Sequence, residues 1–152
     1  MSKIVISRLQ PNAIHKVWSR LLYGIQQAAP VTNARTDEAY NNILAMLLSE
    51  RAQCFVAYHP TQAGEAPNVL GFVITIIQTD TMSHDRYLFV YAMYGYQGLS
   101  EEAWNALQDA VENFARQSSC IRLVGFTNNA KILQQCLQRG AKQDITFLYK
   151  EL

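Results

Sequence analysis

No run of residues in this chain is apolar for anything near the ~18 positions a membrane span needs, and its opening, Met1 to Arg8, is too short in apolar residues for a signal peptide. A soluble, unprocessed chain of the cytoplasm is therefore expected. Cysteine is scarce and odd in number: Cys54, Cys120 and Cys136 stand far apart, which suggests neither a disulfide framework nor a zinc site and fits a reducing compartment. His15, His59 and His84 show no ligand spacing, and there is no Ser-His-Asp or HExxH pattern, so no metal is expected. Charge is balanced, with 13 Lys and Arg against 12 Asp and Glu and the basic residues scattered. That leaves no basic groove for nucleic acid and no footprint for an anionic membrane.

What the chain does have is core: 49% of its 152 residues are apolar, enough for one small domain over 1–152. Ile4 to Leu9 is a short β-prone run closed by Gln10-Pro11, and proline is well placed in the first turn of a helix. Ile14, Val17, Leu21, Leu22 and Ile25 recur at helical spacing, fading through Gln26 to Pro30. Thr36, with Asp37 and Glu38 behind it, predicts an N-cap for a second helix striped by Tyr40, Ile43, Leu44, Leu47 and Leu48. Gln53 to His59, Val69 to Gln78 and Tyr87 to Met93, separated by polar turns, predict a three-strand meander. A helix starting near Ser100, a strand from Ile121 to Thr127, a helix striped by Ile132, Leu133, Cys136 and Leu137 and capped by Gly140, and a closing strand from Ile145 to Leu152 complete the order. This predicts the α/β class, a mixed sheet in the order β-α-α-β-β-β-α-β-α-β with helices on both faces.

Three local pieces stand in that order: Val69-Leu70-Gly71-Phe72-Val73-Ile74, Leu88-Phe89-Val90 running into Tyr96-Gln97-Gly98, and Asn128-Asn129 followed by Gly140. With them, essentially the whole chain resembles the GNAT family, the acetyl-CoA-dependent N-acetyltransferases, as a degenerate member. The resemblance implies that the backbone of Val90, Tyr91 and Ala92 pairs with the pantetheine arm of acetyl-CoA. It also implies that a Gln/Arg-x-x-Gly-x-Gly/Ala loop wraps the pyrophosphate, with Asn129 near the cofactor. Glycines matter in such a loop because backbone must approach phosphate without a Cβ in the way.

Here Gln97 matches the first position and Gly98 follows it, but the next required glycine falls on Ser100 and the final small residue on Glu102. Ser100 is tolerable as an N-cap. Glu101 and Glu102 are not, because a carboxylate near a helix N-terminus uses the same positive field that a phosphate would. One unit-charge pair ~5 Å apart at an effective dielectric near 20 costs about 3 kcal/mol before screening, roughly two orders of magnitude in affinity. No arginine or lysine lies between Arg86 and Arg116 to offset it.

The resemblance also implies a tyrosine that protonates the leaving CoA thiolate, four residues before a Gly-Phe ending. That position holds Cys136, and the phenylalanine after Gly140 is Ala141. Cys136 shares the apolar stripe of its helix, where a thiol is ordinarily a small hydrophobe. Tyr94, beside Tyr91 and Tyr96, is the other candidate acid, against the ordinary packing role of aromatics in strands. Asn129 is a good helix cap in its own right. Two expectations follow. The first is a non-catalytic binding or structural module without cofactor, similar in size and layout to small GNAT-like virion proteins of tailed phages. Trp18, Tyr23 and Tyr91 to Tyr96 are its candidate partner surface, and the occupant is a protein partner or a second copy. The other is an active N-acyltransferase in which Gln97, Gly98 and Ser100 still hold acetyl-CoA, with Tyr94 or Cys136 as acid.

Overall fold

Pro11 opens the first helix because its fixed φ suits the first turn and its missing N–H is not needed there. In the computed structural model of the chain, which describes residues 3–28 and 35–152, that helix, α1, spans Pro11–Ala28 after strand β1 (Val5–Arg8). Met1, Ser2 and the fading helix end at Ala29 and Pro30 lie outside the described residues. Helix α2 (Asp37–Leu48) begins as predicted, with Thr36 Oγ1 accepting the Ala39 N–H at 3.2 Å. Then come β2 (Gln53–His59), β3 (Asn68–Thr79), β4 (Arg86–Gly95), α3 (Glu101–Gln117), β5 (Arg122–Gly125) and α4 (Ala130–Gln138). The sheet order is β1-β2-β3-β4-β5. Strands β1 to β4 pair antiparallel, and β5 joins β4 in parallel after the α3 crossover.

Period-two alternation sorts the strand residues onto two cores. Cys54, Val56, Phe72 and Ile74 pack with Ile14, Val17, Leu21 and Ile25 of α1 and Tyr40, Ile43 and Leu47 of α2. Phe55, Ala57, Val73 and Leu88 pack on the other face with Trp104, Leu107, Val111 and Ala115 of α3. The mixed sheet with helices on both faces is thus as expected. Ile74 pairs with Ala92 but Thr75 pairs with Val90, so Tyr91 is an extra residue, a β-bulge in β4. The bulge turns the alternation over. Leu88 and Val90 sit on the α3 side, whereas Ala92 and Tyr94 sit on the α1 side.

The strand expected from Ile145 to Leu152 does not form. Residues 139–152 hold no strand, and Ile145 and Leu148 are 83% and 85% exposed. The alternation there is real, but β5 is four residues long and pairs only with β4, so the tail has no long ladder to complete. The stripe on α4 is likewise not buried. Gly140 does cap that helix, at φ +97°. Ala141 N donates to Cys136 O and Gly140 N to Leu137 O, the bond pair of a Schellman motif.

Gly24 shows how tightly α1 meets the sheet. A Cβ there would lie 2.3 Å from Phe72 Cε1, and Phe72 is fully buried, so neither side has room to yield. Gly24→Ala is expected to destabilise the fold by about 1–3 kcal/mol through overpacking, in spite of alanine's better helix propensity. Urea denaturation checks this, and an unchanged or raised midpoint would contradict the close approach.

Candidate functional site

Strand β4 outruns its parallel neighbour. Its last pair with β5 is Val90↔Gly125, while its pairing with β3 continues to Gly71↔Gly95. Beyond Gly125 the chain turns away, and Phe126 stacks edge-on against Phe89 at 5.7 Å. Val90, Tyr91 and Ala92 therefore stand where the two strands part, with the bulge at the split. These are the positions expected to meet an extended ligand, and the structure brings them together with the loop that follows.

In that loop Tyr96 N still donates to Leu70 O at 2.9 Å, and Gly98 takes φ +98°, a conformation that suits glycine. Leu99 folds back over the sheet. A Cβ on Gly71 or Gly95 would come within 2.8 or 3.0 Å of its Cδ2, so both positions leave room for the leucine. Ser100 is the N-cap of α3, its Oγ accepting the Ala103 N–H at 3.1 Å and its carbonyl the Trp104 N–H at 2.9 Å. Glu101 and Glu102 occupy the exposed first turn, and Gln97 is exposed. The helix end that would hold a diphosphate thus has one donor occupied by its own cap and two carboxylates in front.

Tertiary structure supplies a cation that the local sequence lacks. Arg20 of α1 stacks 4.0 Å from the Tyr96 ring centre, donates from Nε to Val69 O at 2.8 Å and accepts the Tyr96 hydroxyl at its own carbonyl. Tyr94 meets Tyr96 edge-on at 5.0 Å and Tyr23 at 6.0 Å, and Phe72 lies beneath both Tyr94 and Tyr96. Burial pushes the Tyr94 phenol above its ordinary range, and a hydrogen bond with Tyr23 adds to the rise. Burial pushes Tyr96 up as well, with Arg20 acting in opposition. A raised phenol gives up its proton less readily. Arg20 and Tyr23 went unpredicted as a pair. The available signal was Gly24, a mid-helix glycine that marks close backbone approach.

Cys136 is elsewhere. Asn129 caps α4, accepting Lys131 N and Ile132 N at Oδ1, which commits its side chain to the helix. Arg139 at the other end ties α4 to α3, donating to Asp109 at 2.6 Å and also to Glu112. Cys136 is half-buried on that helix, whereas Tyr94 lies in the α1-side core; the two candidate acids are not brought together. Burial raises the Cys136 thiol, with Arg139 opposing, the reverse of an activated cysteine. Among the described residues no group of three or more His, Cys, Asp and Glu converges on a metal position. No described helix is long and apolar enough to cross a membrane. Trp104 Nε1 and Gln108 Nε2, one turn apart on α3, are buried donors without a protein partner.

No family model matches the sequence, and no curated protein does. Solved structures do match along the whole chain. A ribosomal-protein-alanine N-acetyltransferase from Brucella melitensis is 21% identical at a TM-score of 0.68, covering 99% of both chains. Glucosamine-6-phosphate N-acetyltransferase from Arabidopsis thaliana is 11% identical at 0.70 over 98% of both. A Trypanosoma brucei acetyltransferase is 14% identical at 0.69, over 99% of this chain and 100% of that one. The fold is that of the GNAT acetyltransferases.

Two outcomes test the site. Ser100→Ala should cost about 1 kcal/mol of stability and Ser100→Gly only a few tenths, by thermal or urea unfolding; equal losses would mean the cap bond is not made. In the folded protein Cys136 should alkylate with iodoacetamide more slowly than a free thiol at pH 8, and buried Cys54 more slowly still, followed by peptide mass spectrometry. A Cys136 faster than the free thiol would restore it as an activated group.

Proposed function

We propose that this protein is a non-catalytic binding module built on an acetyltransferase scaffold. The observation that carries the reading is the first turn of α3. Ser100 Oγ takes the Ala103 N–H, Glu101 and Glu102 face solvent in the same turn, and Leu99 is folded onto Gly71 and Gly95. The positive helix end is satisfied by its own side chains. Arg20 does not reverse the balance, because its guanidinium is engaged with Val69 and the Tyr96 ring. Burial raises both alternative acids, Tyr94 and Cys136. Work in an assembly, such as the virion role suggested by the sequence resemblance, is the use this reading favours, with a protein partner rather than a nucleotide thioester as ligand.

One feature supports a second reading, an active N-acyltransferase. The β5 ladder ends at Val90 and the bulge falls at Tyr91, the strand ending that an extended ligand beside Val90 to Ala92 would need. Isothermal titration with acetyl-CoA separates the two. No heat at millimolar ligand is expected, and a Kd below about 100 μM would overturn the module reading. In the double variant Glu101→Gly, Glu102→Gly, measurable affinity is expected to emerge, since two repulsive pairs are removed. Unchanged silence there would assign the block to the shape of the loop around Leu99 instead of its charge.

A further inference from the structure

The apolar side chains that remain exposed are concentrated in the last part of the chain. Ile121, Leu123, Phe126, Leu137, Ile145, Phe147, Leu148, Tyr149 and Leu152 are all uncovered. Only Tyr23, Leu48 and Met82 join them from the rest of the described residues. The tail is not loose from its own chain: Phe147 stacks on Phe126 at 4.8 Å and Tyr149 follows Phe147 at 6.5 Å. It is a two-faced segment, with Ile145, Phe147 and Tyr149 on one side and Thr146, Leu148 and Lys150 on the other, and no strand beside it. Such a segment is a template for pairing.

We propose that it pairs with the same segment of a second copy, as an antiparallel ribbon about a two-fold axis at Phe147. Symmetry makes the register restrictive. Hydrogen-bonded and non-hydrogen-bonded pairs alternate along an antiparallel ladder, so a two-fold perpendicular to the ribbon must pass through a residue paired with itself, and the next allowed registers differ by one such residue. Centred on Phe147, the ribbon sets Asp144 opposite Lys150 twice, Ile145 opposite Tyr149 twice and Phe147 opposite Phe147, with every pair on that last face apolar. Centred on Thr146, it sets Lys142 opposite Lys150. Centred on Leu148, it sets Ile145 opposite Glu151 and Thr146 opposite Lys150. Of these three registers only the Phe147 one sets Asp144 against Lys150 and keeps one face wholly apolar, with Thr146 opposite Leu148 on the other face, and it needs no partner chemistry beyond this chain. A two-stranded ribbon alone is marginal in water, and a stable interface buries upward of roughly 1,000 Å². The exposed Leu123 of β5, Phe126 against which Phe147 packs, and Leu137 of α4 are further apolar surface for the same interface, shared by both copies as an isologous dimer requires.

The proposal does not depend on whether acetyl-CoA binds. Sedimentation velocity on the intact protein should show a dimer at about 100 μM; a monomer there would overturn the proposal. Asp144→Lys and Lys150→Asp each place like charges opposite one another twice and should weaken the dimer about tenfold or more, while the double reversal restores it to within about threefold. A dimer indifferent to these reversals overturns the register and with it the proposal. These positions are exposed, so folding is not at stake. Phe147→Cys in a Cys120→Ser, Cys136→Ser background should form a disulfide-linked dimer on mild oxidation, since facing residues in a ladder lie within disulfide reach. Its failure to cross-link would count against the axis at Phe147.

Discussion

One extra residue in β4 organises the candidate site. Without the bulge, with Tyr91 as a regular strand residue, Leu88, Val90, Ala92 and Tyr94 would share a face, and the strand would send all of them toward α3. With it, Ala92 and Tyr94 turn to α1 while Val90 stays behind, and the bend falls at the last β5 pair. The aromatic cluster of Phe72, Tyr94 and Tyr96 under α1 exists only because of that turnover. A bulge needs its register held, and the fully buried Thr75 beside it donates to Gln53 Oε1 at 2.9 Å across β2 and β3. Slippage of either strand would strand two polar groups in the core, at about 1–3 kcal/mol each.

The two helices that flank the loop carry opposite chemistry. Helix α3 starts with Ser100, Glu101 and Glu102, so its dipole is answered from within. Helix α1 has no acidic residue and presents Lys16 and Arg20 on its exposed side. The Tyr96 ring and the Val69 carbonyl hold Arg20 at the rim of the cluster. The arrangement favours rigid packing of the loop over adaptation around an anion.

Most of the fold was legible in the sequence because its signals are local. Pro11, Thr36, Ser100, Asn129 and Gly140 punctuate helices by mechanisms that act within a few residues, and the structure places each of them in that role. The glutamates of the loop were legible for the same reason. The bulge was not, since an inserted residue leaves no mark on a strand that is apolar throughout from Tyr87 to Met93. Arg20 was out of reach because seventy-odd positions separate it from Tyr96, and only packing joins them. The tail was misjudged from a correct observation. Its alternation is genuine, but alternation says that a segment has two faces and does not say what covers them.

Helix α4 buries none of its residues completely, and its firmest link to the body is the Arg139 guanidinium on Asp109 and Glu112. A part of the chain held by an ionic clasp and a short parallel ladder opens on its own, well before the body does. Backbone amides from β5 onward will therefore exchange with solvent deuterium by local opening, faster at high ionic strength as the clasp is screened. Those of β2 and β3, sealed between two cores, will wait for global unfolding. The molecule thus behaves as a rigid four-stranded body carrying a terminal fifth, from β5 onward, whose order is conditional on what lies against it.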